Sequence, residues 1–148
     1  MMSKLQKIFS SVLMVLLLAC VIPSVQAEIA VITNPSVKEI GLSRENVADI
    51  YLGKKKTYSD GARAKPVDQS TDSMLREQFY RSVVRMSASE VNRYWAKLEF
   101  TGKGKPPKVV SGNEAVKHWV ASHPGAIGYI DGKSLDNSVK VVLIIPDR

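Results

Sequence analysis

His123-Pro124-Gly125-Ala126-Ile127-Gly128-Tyr129-Ile130 joins the end of one element to the start of another. Pro and Gly together stop a helix, and the apolar run Ala126–Ile130 has the length of a strand. A turn around Asp131-Gly132 separates it from a second apolar run, Val139–Ile145. Working upstream, Ser111-Gly112-Asn113-Glu114 has the S-x-x-E form of a capping box, which predicts a helix ending before His123. Val109-Val110 is a brief strand before it. Ser87-Ala88-Ser89-Glu90 is another capping box, opening a helix that buries Val91, Tyr94 or Trp95, and Leu98 and ends by Gly102. From Thr71, the residues Leu75, Phe79, Val83 and Met86 recur at three- and four-residue steps, the spacing of an amphipathic helix. Lys65-Pro66-Val67-Asp68 is a short strand. Ser43 precedes Val47, Ile50 and Tyr51 at helical spacing, with Gly53 as the stop. Ile29–Ile32 is a buried strand closed by Asn34-Pro35. Strands alternating with helices in one chain predict a single α/β layered domain.

Composition narrows the class. With 45% hydrophobic residues the chain has enough apolar material for a core, which excludes disorder, and the single Cys20 excludes a disulfide scaffold. Residues 1–27 read as a cleavable secretory signal. Lys4 and Lys7 form the basic start, Val12–Ile22 the apolar run, and Val25-Gln26-Ala27 supplies small residues at the cleavage positions. Leu17-Leu18-Ala19-Cys20 is a degenerate lipidation box, so a lipoprotein anchored at Cys20 is the alternative. The expected exported domain is 28–148. Removing Lys4, Lys7 and no acid takes the net charge from +7 to +5. Loss of Cys20 leaves that domain without thiol chemistry or a cysteine metal site.

Several strings, in this order, resemble the periplasmic substrate-binding proteins of phosphate ABC transporters. They are Asn34-Pro35; Asp49-Ile50-Tyr51-Leu52-Gly53-Lys54 followed by Tyr58-Ser59-Asp60-Gly61; Pro66-Val67-Asp68; Phe79; Trp95; the Gly102/Pro106 loop; and Pro124–Tyr129. Family members hold their anion between two α/β lobes. The resemblance here covers one, so it implies a single lobe of a periplasmic-binding-protein-like α/β fold, with a mixed sheet flanked by helices. It also implies an exported, non-enzymatic binding protein for phosphate or another small oxyanion.

In the family's motif an Arg and a Gly-Ser-Gly-Thr turn opening a helix meet the oxyanion with charge, hydroxyls and backbone amides. In register, Gln69 stands at the Arg position and Asp72-Ser73-Met74-Leu75 at the turn, so only Ser73 is retained. Ser70, Thr71, Ser73 and Arg76 remain as the candidate oxyanion cradle. The competing reading makes Ser70, Thr71 or Asp72 the helix cap and puts Arg76 on a solvated face. Lys54–Lys56, with Lys103 and Lys105, are either a solvated surface or a contact for an acidic partner, a phosphorylated surface or anionic lipid. Two alternatives to an oxyanion receptor follow. One is a ligand-free interaction module docking on an envelope sensor, porin or transporter through Lys54–Lys56; the other is a homodimer whose second copy completes the site. Nucleic acid is an unsuitable partner, since the basic residues are not interleaved with aromatics. No cofactor or metal site is expected: His118 and His123 lie about 140° apart around a helix. No nucleophile, base and orienting group form a recognisable catalytic set.

Overall fold

The computed structural model describes residues 28–146. Residues 1–27, read as a signal, and the lipidation box read at Cys20 lie outside the described residues. Five strands form one mixed sheet: β1 (Ile29–Thr33), β2 (Lys65–Gln69), β3 (Lys108–Val110), β4 (Ala126–Asp131) and β5 (Lys140–Ile145). Their spatial order is β3-β2-β4-β1-β5. β2 runs parallel to both β3 and β4, while β1 pairs antiparallel with β4 and β5. The helices are α1 (Arg44–Tyr51), α2 (Met74–Phe79), α3 (Ala88–Phe100) and α4 (Asn113–Ser122). A mixed sheet flanked by helices, as expected for one periplasmic-binding-protein-like lobe, is the observed architecture.

Strand periodicity explains the layers. Side chains alternate across a sheet, so in β1 Ile29 and Val31 enter one core while Ala30 and Ile32 enter the other. The larger core receives α1, α2 and α3 through Tyr51, Phe79, Tyr80, Val91 and Trp95. The smaller one packs α4 through Val116 and Val120 against Val67 and Ile130. Trp95 is core, as read from sequence. Trp119 is only partly buried beside the smaller core, and its ring stacks on His123. Asn34 links the two ends of the fold, donating from Nδ2 to the carbonyls of Val120 and Ala121, which α4 leaves free at its last turn.

Two local readings need correction. The helix predicted from Thr71 through Met86 begins at Met74 and passes after Phe79 into a π-helical turn, Tyr80–Val84, which Arg85 ends in the left-handed conformation. Phe79 and Tyr80, consecutive at this junction, are both fully buried, and the wider turn follows them. The capping box at Ser87–Glu90 forms with both reciprocal bonds, but the one read at Ser111 does not. Gly112, at φ +91°, is the N-cap of α4 and provides no side-chain bond.

The Pro124–Tyr129 string shows why its glycines are where they are. Gly125 has φ +79°, and a Cβ there would lie 2.4 Å from the Arg63 carbonyl oxygen. At Gly128 a Cβ would lie 2.8 Å from Val116 and 2.9 Å from Val120, so its absence lets α4 sit close on β4. Gly61 also has a positive φ, of +82°, but faces open space. Gly125→Ala is therefore expected to cost about 2–4 kcal/mol in urea unfolding, from backbone strain plus the clash. Gly61→Ala should cost about 1 kcal/mol, from strain alone. Equal losses at the two positions would refute the close-approach explanation.

Candidate functional site

The helices that follow the adjacent parallel strands β2 and β3 leave on opposite faces of the sheet. That arrangement puts a topological switch point at the carboxyl ends of the strands, the general ligand position of open α/β sheets, called here the crevice. The β2–α2 turn, Ser70 to Ser73, and the start of α4 form its rim. This is where the sequence places the candidate cradle.

The crevice is bridged by its own side chains. Gln69 donates from Nε2 to Asn113 Oδ1 at 3.1 Å and to the Tyr129 carbonyl at 3.2 Å. Ser73 Oγ donates to Gln69 Oε1 at 3.2 Å and accepts from the Arg76 amide at 3.3 Å. Ser73 is therefore the cap of α2, in place of the Ser70, Thr71 or Asp72 named by the capping reading. Asn113 Oδ1 also accepts from the Asp131 amide, which explains why it helps close the crevice rather than cap a helix. Ser70 is half-buried and Thr71 exposed at the rim.

Arg76 does not lie on a solvated face. Its side chain turns into the larger core, where Nε donates to Asp68 Oδ2 at 3.0 Å and Nη2 to Asn92 Oδ1 at 2.8 Å. Both members of the pair are about 95% buried. The same carboxylate accepts from Tyr80 Oη at 2.8 Å, from Tyr129 Oη and from the Gln69 amide. Arg76 also lies over the Tyr80 ring, 4.9 Å from its centroid. Burial works against the guanidinium charge, but Asp68 more than offsets it and holds Arg76 above its ordinary value. Burial, followed by the Asp68 charge, pushes the phenols of Tyr51, Tyr80 and Tyr129 far up.

The fold thus brings Ser70, Thr71 and Ser73 together at the rim and draws Arg76 inward. Sequence reading did not identify Asp68, Tyr80, Asn92, Tyr129 and Asn113 as parts of this arrangement. One signal was available: Asp68 follows Val67 in a strand, so period two aims it into the opposite core, where a carboxylate needs a cationic partner.

No family model matches the chain, and no curated protein is similar to it in sequence. Solved structures are similar in fold. One is described as a phosphate ABC transporter substrate-binding protein from Clostridium perfringens with bound phosphate. It shares 25% identity over 79% of this chain and 44% of its own, with a TM-score of 0.65. An ABC-type phosphate transport receptor from Vibrio cholerae shares 22% identity over 79% of this chain and 46% of its own, TM-score 0.63. PstS from Borrelia burgdorferi shares 19% over 80% and 48%, TM-score 0.60. The chain spans under half the length of each.

Two outcomes test the buried cluster. Asp68→Asn should cost about 3–5 kcal/mol in urea unfolding, because Arg76 stays buried without its counter-charge. Adding Arg76→Met should recover much of that loss, and a strictly additive double variant would rule out the coupling. The tyrosines set an alkaline limit. Their phenols are raised in the folded state above the unfolded value of about 10, so the folded chain keeps protons that the unfolded chain loses. Stability should hold below pH 10 and fall above it. The phenolate absorbance of Tyr51, Tyr80 and Tyr129 should rise only together with unfolding.

Proposed function

We propose that the protein is an exported, non-enzymatic binding lobe of the periplasm. In this reading it docks on an envelope sensor, porin or transporter and does not capture free phosphate alone. The observation that carries this is the Asp68–Arg76 pair: the one guanidinium of the candidate cradle has its charge met inside the core. The β2–α2 turn presents Asp72 and no cation, so a phosphate dianion at this rim meets a like charge. Met74, the first residue of α2, is 81% exposed at the same edge. An apolar side chain projecting beside a polar rim is the form of an interface anchor. The binding proteins among the fold neighbours support a non-enzymatic role, and the signal at residues 1–27 supports export.

A second reading keeps a small oxyanion at the rim, held by the Ser70 and Thr71 hydroxyls and free amides. It is favoured by the accessibility of both side chains and by the phosphate bound in the Clostridium perfringens protein.

The two readings separate by experiment. Under the docking reading, calorimetry with phosphate or sulfate up to millimolar concentration shows no saturable heat. Capture from an envelope fraction retains a partner that Met74→Glu loses. Unchanged capture by the folded Met74→Glu variant overturns docking at this edge. Saturable heat that Ser70→Ala with Thr71→Val removes establishes the oxyanion reading instead. If that heat comes with phosphate-dependent dimer formation in sedimentation, a second copy completes the site.

A further inference from the structure

A second concavity lies at the amino end of β2, about 13 Å along the strand from Gln69. It is a groove of about 630 Å³, within the size range of small-molecule sites. Ile50, Trp95 and Leu98 supply its apolar lining. Three separate segments supply the charge: Lys54–Lys56 after α1, Arg63 and Lys65 leading into β2, and Lys103, Lys105 and Lys108 between α3 and β3. No carboxylate lines the groove. Among the described residues none of these cations forms a salt bridge, though Lys55 donates to Asn46 Oδ1 at 2.7 Å. Parallel pairing of β2 and β3, with Val67 opposite Lys108, brings together lysine runs far apart in the chain.

Packing distinguishes this groove from an ordinary solvated lysine surface. Gly53, at φ +69°, and Gly104 both close on the same buried indole, Trp95. A Cβ would lie 2.9 Å from the ring at Gly53 and 3.4 Å at Gly104. The two principal lysine loops are therefore pinned to one ring and line one groove. The Trp95 indole N–H is itself buried without a partner. Clustered cations with no counter-charge repel, and a compact polyanion relieves that repulsion. Seven lysines and one arginine on three segments call for a ligand of high charge density, and each phosphate group brings up to about two negative charges and three acceptor oxygens against one charge for a carboxylate.

We propose that this groove binds an oligophosphate, a compact group carrying two or more neighbouring phosphates, either free or borne by a lipid. The site is separate from the rim at Gln69 and does not depend on the docking reading.

Titration of the full exported domain with inorganic tripolyphosphate tests the proposal, followed by calorimetry and by Trp95 fluorescence in a Trp119→Phe background. Saturable one-to-one binding is expected, weakening with added salt. Binding should fall by at least about tenfold in Lys103→Glu/Lys105→Glu, since reversing two nearby charges replaces attraction by repulsion. Lys133→Glu, at the far end of β4, should leave it unchanged. Circular dichroism confirms that each variant is folded. Vesicles containing cardiolipin, whose headgroup carries two phosphates, compared with phosphatidylcholine alone, identify the source. Capture that tripolyphosphate reverses supports a lipid-borne group; tripolyphosphate binding without vesicle capture supports a free one. The proposal is overturned by absence of saturable binding at millimolar tripolyphosphate in low salt. Equal affinity for a tricarboxylate, or unchanged binding by the folded double lysine variant, overturns it as well.

Discussion

The carboxylate of Asp68 is the point on which much of the larger core converges. It sits at the carboxyl end of β2 and accepts from Arg76 and Tyr80 on the α2 segment and from Tyr129 on β4. Arg76 extends the link to Asn92 on α3. A carboxylate this deep needs its lone pairs filled and its charge matched, and its side-chain partners come from the α2 segment and from β4. The π-helical turn fits that demand. It admits Tyr80 to the cluster while Phe79, its neighbour, stacks on the Tyr129 ring with centroids 3.9 Å apart. A buried ion pair of this kind adds little net stability over apolar packing, yet losing one member is severe. It therefore constrains the arrangement of β2, α2, α3 and β4 more than it strengthens it.

That constraint reaches the functional surface. With Arg76 held inside and Gln69 bonded across to Ser73 and Asn113, the crevice at the carboxyl ends carries hydrogen-bonding groups that largely satisfy one another. The amino end of the same strand is the reverse. Its cations, all exposed but the half-buried Lys55, are without ion-pair partners among the described residues, and the apolar lining beneath them includes Trp95. Two ends of one short strand thus have opposite electrostatic character: one internally neutralised, the other left for an external anion.

Elements that depend on local chemistry were legible in the sequence. Ser43 caps α1 and the Ser87–Glu90 box caps α3, since each bond is made within four residues. The apolar runs at Ile29, Ala126 and Val139 all became strands. The failures have tertiary causes. Ser111 lost its cap role because Gly112 turns the chain so that Asn113 reaches Gln69 and Asp131. The period through Leu75, Phe79 and Val83 was real, but the helix widens into the π turn from Tyr80, the residue that bonds Asp68.

The sequence by itself determined the α/β alternation and the position of Ser70, Thr71 and Ser73 at the turn after β2, because periodicity, caps and turn residues act over a few positions. Only the tertiary structure decided where charge is spent and where it is left free. Arg76 and Asp68 are eight residues apart, but the cluster they share also draws on Asn92 of α3 and Tyr129 of β4. The lysines of the groove come from three segments that meet only because β2 and β3 begin side by side. Electrostatic pairing depends on distance in space and on exclusion of water, and neither is encoded in local spacing.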